Sequence, residues 1–187
     1  MTLGTCAIAL LRGVNVGGRN KLPMAALRRV LEENGCTGVR TYIQSGNVVL
    51  RSPVPKADLG AQLERVIDEH FDIATPVLVR TAEEWAHYVQ SNPFPEEADG
   101  NAGHVALVLS VDAPDPAAPE ALAKAATLGE RVELRGDALW IHFAGGIGRS
   151  KLTPALLDRH AGSPTTARNW RTVLKLHDLA QEVAAGG

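Results

Sequence analysis

The chain contains one short phrase twice, as GRNKLP at residues 18–23 and as GRSKLTP at residues 148–154. Each copy follows an apolar, strand-like run and precedes a helical pattern. Each therefore places main-chain N–H groups, one Arg and one Lys at the start of a helix, where the helix dipole also favours negative charge. The two phrases predict anion-binding positions, with Arg19, Lys21, Arg149 and Lys151 as the cations, and they specify no reaction.

The first loop, GVNVGGRN at residues 13–20, approaches the P-loop spacing G-x-x-x-x-G-K-[ST]. Arg19 stands in place of the Lys, and Asn20 in place of the hydroxyl that would hold magnesium. Both changes affect the chemistry, so we predict no nucleoside triphosphatase, and the dinucleotide pattern G-x-G-x-x-G is missing as well. Two interpretations stay open: an anion site surrounded by Arg12, Arg19 and Lys21, or a tight turn that needs glycine for backbone freedom.

Two later segments carry similar groups. The second loop, GGIGRSK at residues 145–151, is either part of an anion site or a flexible connection to a helix capped by Thr153 with Pro154 as its first residue. The segment TTARNWR at residues 165–171 lies near the predicted start of the last helix. There the dipole disfavours Arg168 and Arg171 by about 0.3–1 kcal/mol each, which predicts a nearby carboxylate or a bound anion.

The turn Ser45-Gly46-Asn47 lies between two β-rich runs and predicts a hairpin. Because the first and third strands of the predicted fold are neighbours, we expect this turn beside the first glycine loop. Ser45 has no evident base and no nucleophile elbow around it, so a turn role is favoured and no catalytic residue is assigned. His104 and His142 fall in strand patterns, and the histidine spacing predicts no metal site. The sequence leaves the cofactor unknown. The predicted ligand-binding residues are Arg12, Asn15, Gly17, Gly18, Arg19, Lys21, Ser45, Asn47, Arg149, Lys151, Arg168 and Asn169.

Composition places the chain among globular proteins, with 187 residues of which 45% are hydrophobic and 21% charged. Residues 1–56 carry eight Lys or Arg and two Asp or Glu, residues 57–130 carry three and fourteen, and residues 131–187 carry eight and five. The acidic middle is interpreted as a solvated helical face, whereas the basic ends are expected to meet in one positive surface. Cys6 and Cys36 fit no disulfide framework and predict two buried thiols in a reducing cytoplasm. The apolar runs are too short for a membrane span, so we expect a cytoplasmic protein without a membrane partner.

The predicted elements indicate an α+β fold. Hydrophobic spacing gives the order β-α-β-β-α-β in the first half, which is the ferredoxin-like arrangement. The second half gives β-α-β-β-α, a distorted unit of the same type, followed by a C-terminal helix from about Asn169 to Ala184. We place the domains at residues 1–81 and 82–187.

Four phrases resemble one known family: LLRGVNVGGRNKLPM (residues 10–24), TYIQSGNVV (residues 41–49), NPF (residues 92–94) and TTARNWRTVLKL (residues 165–176). Together they resemble the bacterial domain-of-unknown-function-1697 family. The resemblance implies an α+β protein with a ferredoxin-like part, bacterial and cytoplasmic, and it brings no established activity. The family motif positions occupied in this chain are Arg12, Asn15, Gly17, Gly18, Lys21, Ser45, Gly46, Asn47, Arg168, Asn169 and Trp170.

Three functions compete. The first is binding of a small ligand that carries phosphate or carboxylate, with the question of catalysis open. The second is RNA backbone binding on the basic surface, which the shortage of aromatic residues makes less favoured. The third is a ligand-free regulatory or dimerisation module that uses an exposed sheet edge. The first function requires Arg12, Lys21 and Arg168 to line one concavity, and the oligomeric state is left open.

Overall fold

The computed structural model describes residues 4–186, and its contacts divide the chain into two compact units. One unit comprises the chain up to His87 together with the residues from Lys175 onward, and the other comprises Tyr88–Leu174. The end of the last helix thus belongs with the first unit. That residues 1–81 and 82–187 form separate domains stays a prediction.

The first unit has the predicted β-α-β-β-α-β order and is ferredoxin-like. Its four strands form one antiparallel sheet in the order β2-β3-β1-β4, so the first strand lies between the third and the fourth. The elements are β1 (Thr5–Leu11), α1 (Met24–Glu33), β2 (Thr37–Tyr42), β3 (Asn47–Ser52), α2 (Lys56–Phe71), β4 (Val77–Thr81) and α3 (Ala82–Gln90).

The core of this unit follows from two residue periods. Alternate residues of β1, such as Ala7 and Ala9, point to the face on which α1 and α2 lie, and both are fully buried. Residues three and four apart on the helices meet that face, with Leu27 on α1 and Leu63 on α2 among them. Burial of each such leucine contributes about 1.5–3 kcal/mol, which is why the periodic apolar positions predicted these elements.

The second unit repeats the same sheet order, β6-β7-β5-β8, with all pairs antiparallel. Its elements are α4 (Pro95–Gly100), β5 (Val105–Ser110), α5 (Ala118–Ala125), β6 (Arg131–Arg135), β7 (Ala138–His142), a short 3-10 helix (Ile147–Arg149), α6 (Pro154–Ala161), β8 (Thr165–Asn169) and α7 (Trp170–Ala185). Two elements are absent from the predicted order β-α-β-β-α: α4, which precedes β5, and β8, which adds a fourth strand to the sheet.

β8 corrects the prediction for the segment that contains Arg168. We expected Thr165 and Thr166 near the start of the last helix, but they form the edge strand beside β5. β-Branched threonines favour extended backbone, and pairing with β5 satisfies their main-chain groups. The helix begins one residue after Asn169, whose Oδ1 accepts a hydrogen bond from the N–H of Thr172 at 3.0 Å and caps it.

The two cysteines are free thiols, as expected, although only Cys36 is buried and Cys6 is half-buried. Burial raises the pKa of both thiols above its ordinary value. Within residues 4–186, every helix is too short or too polar to traverse a lipid bilayer.

Gly46, in the turn between β2 and β3, is the most tightly packed of the turn glycines. Its φ is +79°, its carbonyl accepts the N–H of Leu11 at 2.8 Å, and a Cβ there would lie 2.6 Å from Val14 Cγ2 and 2.7 Å from Leu11 Cβ. Only glycine satisfies both the left-handed backbone and this close approach.

We therefore expect Gly46→Ala to destabilise the protein strongly. The crowding should cost about 1–3 kcal/mol, in addition to about 1–2 kcal/mol for the left-handed backbone. Gly136→Ala is the matched control, since φ is +60° there and a Cβ would meet no atom within 4 Å. Urea unfolding measures both losses, and equal losses would contradict the packing explanation.

Candidate functional site

The loop between β1 and α1 contains a miniature hairpin. Gly17 and Gly18 have φ values of +59° and +76°, the N–H of Arg19 donates to the carbonyl of Val16 at 3.1 Å, and residues 16 and 19 form an antiparallel bridge. Two successive residues with positive φ are the signature of a type I′ turn, for which Gly-Gly is a preferred pair. The turn presents residues 16–21, all of them exposed, on ordered backbone.

Asn15 holds this hairpin in place. Its Nδ2 donates to the carbonyl of Leu22 at 2.9 Å and to that of Gln44 at 2.8 Å, while its Oδ1 accepts the N–H of Leu22 at 2.8 Å. Its own N–H donates to the carbonyl of Asn20 at 3.0 Å. One amide therefore joins the two ends of the loop to the β2–β3 turn, and the prediction that this turn lies beside the first glycine loop is confirmed.

The neighbouring turn is closed by Asn47, which is fully buried. Its Nδ2 donates to the carbonyl of Tyr42 and to Ser45 Oγ, both at 3.0 Å. On the other side of the loop, the main chain of Arg12 is tied to the start of β4, because its N–H donates to the carbonyl of Pro76 and its carbonyl accepts the hydroxyl of Thr75. Asn15 and Asn47 are thus structural supports of the predicted site, and a direct role in ligand binding stays a prediction for both.

The exposed side chains of this region are basic and aliphatic. Arg19 and Lys21 are exposed, and within residues 4–186 no carboxylate lies at ion-pair distance from either. Val16 is 62% exposed and Ile43 is 52% exposed. We call these four residues the first tip. Sequence analysis missed the two aliphatic members, because nothing in their spacing marks them as outward-facing.

The second loop is anchored by a different kind of group. Glu130, only 7% exposed, accepts hydrogen bonds from the N–H groups of Thr127 and Leu128, at 3.0 and 2.7 Å, and from the hydroxyl of Ser150, at 2.5 Å. Burial by itself raises the pKa of this carboxyl, but the hydrogen bonds from Ser150 and from the main chain outweigh it and hold the pKa below its ordinary value.

Around Glu130 lies a second set of exposed basic and aliphatic side chains. Leu128 is 40% exposed and Ile147 is 45% exposed. Arg149 and Lys151 are exposed beside them, and Arg149 Nε donates to the carbonyl of Gly145 at 3.0 Å. We call these four residues the second tip. The predicted helix cap after it is confirmed, since Thr153 Oγ1 accepts the N–H of Leu156 and Pro154 is the first residue of α6.

The two repeated phrases do not occupy equivalent positions in the two sheets. The first follows β1, the first strand of its unit, whereas the second follows β7, the third strand of the other. In the second unit the segment equivalent to the first phrase is residues 111–117, which follow β5. Duplication of one ancestral loop therefore does not account for the repeated phrase.

Arg168 is the most buried cation of the predicted set, at 9% exposure. Its Nη1 donates to Thr166 Oγ1 at 2.7 Å and to the carbonyl of Ala167 at 2.9 Å, and burial lowers its pKa to about 10. Because it lies on β8, the helix-dipole argument for Arg168 was wrong. Arg12 and Lys21 belong to one unit and Arg168 to the other, and their convergence on one ligand stays a prediction.

Comparisons with known proteins agree with the fold. Residues 5–140 match the model of a family described as "Protein of unknown function (DUF1697)". The chain belongs to this family. The matched segment includes the first tip and ends before the repeated phrase at residues 148–154. The predicted family membership is therefore confirmed.

One solved structure is similar over most of its length, that of the conserved bacterial protein SP0830 from Streptococcus pneumoniae. It has 24% sequence identity and a TM-score of 0.72, and the alignment covers 94% of this chain and 98% of that one. Likeness at this identity concerns the fold alone. No curated protein matches the chain significantly, and residues 4–186 contain no group of three or more His, Cys, Asp or Glu side chains arranged to hold a metal ion.

The role of Asn15 as a support predicts the effect of its removal. Asn15→Ala deletes three side-chain hydrogen bonds and places alanine at a φ of +55°, so we expect a loss of about 2–4 kcal/mol from hydrogen bonds and backbone together. Amide hydrogen exchange at Leu22 should accelerate specifically. Asn34→Ala, which deletes one bond to the carbonyl of Val30, serves as the control, and unchanged exchange at Leu22 would contradict the assignment.

Glu130 predicts a pH dependence with a defined sign. A carboxyl whose folded pKa is depressed contributes stability above its unfolded pKa, and this contribution is lost as the pH falls through the folded value. The stability difference between the wild type and Glu130→Gln should therefore shrink as the pH falls below the ordinary value of 4.5. Urea unfolding at several pH values measures it, with the exposed Glu120→Gln as control. A difference that is constant with pH would contradict the role given to this carboxylate.

Proposed function

We propose that the first tip binds the anionic groups, phosphate or carboxylate, of a ligand. The observation that carries the proposal is the exposure of Arg19 and Lys21 with no carboxylate at ion-pair distance within residues 4–186. Other surface cations of this acidic protein, such as Lys124 and Arg135, are paired with carboxylates and so are partly neutralised. The tip thus retains its full positive charge for an external partner.

The ordered backbone strengthens the proposal. The bonds of Asn15 and the type I′ turn fix the loop before any ligand arrives, so binding loses little conformational entropy. The following helix, α1, has no side-chain cap and no acidic residue in its first turn. Arg28 and Arg29 on α1 are exposed and add to the positive charge of the tip. Because the first turn of α1 has no acidic residue, no carboxylate there competes with an anion for the helix dipole.

The proposal concerns binding and assigns no reaction. Ser45 Oγ, two residues after the tip residue Ile43, accepts a hydrogen bond from Asn47, which suits a turn better than a nucleophile. A nucleic acid backbone would also meet the cations, but the tip itself contributes no aromatic ring on which a base could stack. A phosphate or carboxylate group that needs no stacking partner is therefore the first choice.

Thermal shift with inorganic phosphate and pyrophosphate tests the proposal. Both should raise the melting temperature of the wild type, since a ligand that binds only the folded state stabilises it by RT ln(1 + [L]/Kd), about 2.7 kcal/mol at 100 times Kd. The double variant Arg19→Ala/Lys21→Ala should lose this shift and keep its melting temperature without anion.

The matched control is Lys124→Ala/Arg135→Ala, which removes the same charge from exposed, paired cations. It should retain the anion-induced shift. Equal loss in both double variants would mean that overall charge, and not the tip, governs the response. The absence of any shift in the wild type would also refute the proposal.

A further inference from the structure

Exposed large aliphatic side chains concentrate at the two tips. Among the residues that the structure describes, six large hydrophobic side chains are exposed, and four of them belong to the tips. The six are Val16, Ile43, Val111, Leu128, Ile147 and Leu174. Isolated exposed aliphatics are ordinary on a protein surface, but here they occur in pairs beside unpaired cations.

Hydrogen bonds keep each pair together. Val16 follows Asn15 and Ile43 precedes Gln44, and the 2.8 Å bond from Asn15 Nδ2 to the carbonyl of Gln44 joins these neighbours. In the second tip, Glu130 bonds both the N–H of Leu128 and the hydroxyl of Ser150. The side chain of Leu128 also covers Gly145, where a Cβ would lie 2.8 Å from Leu128 Cβ.

Local structure does not account for the aliphatic residue at position 43. Ile43 has a φ of +48°, a conformation that β-branched residues avoid and that Asn or Gly adopts easily. Its side chain is nevertheless more than half exposed and gains little from burial. A strained, solvent-facing isoleucine is explained if its side chain inserts into an apolar environment outside the protein.

We propose that the first tip docks the protein on an anionic lipid surface. The inference rests on the proposed function, because the anions would be lipid phosphates, and it adds that the ligand is an assembled bilayer. Peripheral proteins bind such surfaces by placing aliphatic side chains at the headgroup boundary while Lys and Arg meet the phosphates. This revises our expectation of no membrane partner, which was drawn from the length of apolar runs, and docking needs no spanning helix.

The geometry favours a surface over other occupants. Small ligands are usually held in concave sites, whereas a Cβ at Gly17 or Gly18 would meet no atom within 4 Å, so the first tip projects into open space. Nucleic acids bind cations and stack on aromatic rings, but they offer no apolar environment into which exposed aliphatic side chains could insert. The buried carboxylate of Glu130 lies beside the second tip and reduces the net charge there, so the first tip is the stronger candidate for binding an anionic surface.

Co-sedimentation with vesicles of phosphatidylcholine, with and without phosphatidylglycerol, tests the inference. The full chain should bind only the anionic vesicles, and high salt should release it. The variant Val16→Ser/Ile43→Asn leaves the charge unchanged and suits the positive φ of residue 43, and it should lower the partition coefficient roughly tenfold.

Val111→Ser is the matched control, since Val111 is 54% exposed but lies beside the acidic Asp112 and outside both tips. It should bind vesicles as the wild type does. Failure of the wild type to bind anionic vesicles would overturn the inference, as would binding that is unaffected by Val16→Ser/Ile43→Asn. A change of mass in light scattering on that substitution, without vesicle binding, would overturn it in favour of self-association.

The two proposals fail separately. Val16→Ser/Ile43→Asn should keep the thermal shift with inorganic phosphate, because both tip cations are retained. A phosphate response without vesicle binding would leave the proposed function standing and reject the lipid surface. Vesicle binding that survives Arg19→Ala/Lys21→Ala would reject the lipid surface as the ligand of the tip cations, while loss of the phosphate shift in the same variant would still support the proposed function.

Discussion

The close contact between the β1–α1 loop and the β2–β3 turn is the constraint on which the first tip depends. Gly46 permits it, because the main chain of the turn approaches Leu11 and Val14 more closely than any Cβ would allow. The amide of Asn15 then bonds across the contact to Gln44. The hydrogen bond depends on the packing, because without the close approach the amide of Asn15 would not reach the carbonyl of Gln44. A flexible glycine loop thereby becomes a fixed platform for two cations.

The second unit reaches a similar surface by a different route. Its anchor is a buried carboxylate, whose desolvation is offset by three donors, two from the main chain and one from Ser150. The strand that precedes this loop also has a different position in its sheet. The two non-equivalent loops share exposed cations and exposed aliphatic side chains.

The sequence predicted the elements whose burial is periodic. β1 and α2 are two of the elements in the predicted order, because their apolar residues recur at the strand or helix period. β8 was missed because the strand has only five residues, four of them polar, and pairing with β5 decides their conformation. The repeated phrase at residues 18–23 and 148–154 predicted the cations of the tips. Val16 and Ile43 were missed because the exposure of their side chains depends on how two loops distant in sequence meet. Arg168 is buried because it lies on β8, and its burial could not be predicted because β8 itself was missed.

The most direct test of the account is a titration with inorganic phosphate followed by amide chemical shifts. The account predicts that the largest changes fall on residues 16–21, with smaller ones at residues 43–46 that reach them through Asn15. Changes confined to residues 145–151 or to the neighbourhood of Arg168, with residues 16–21 unaffected, would contradict it.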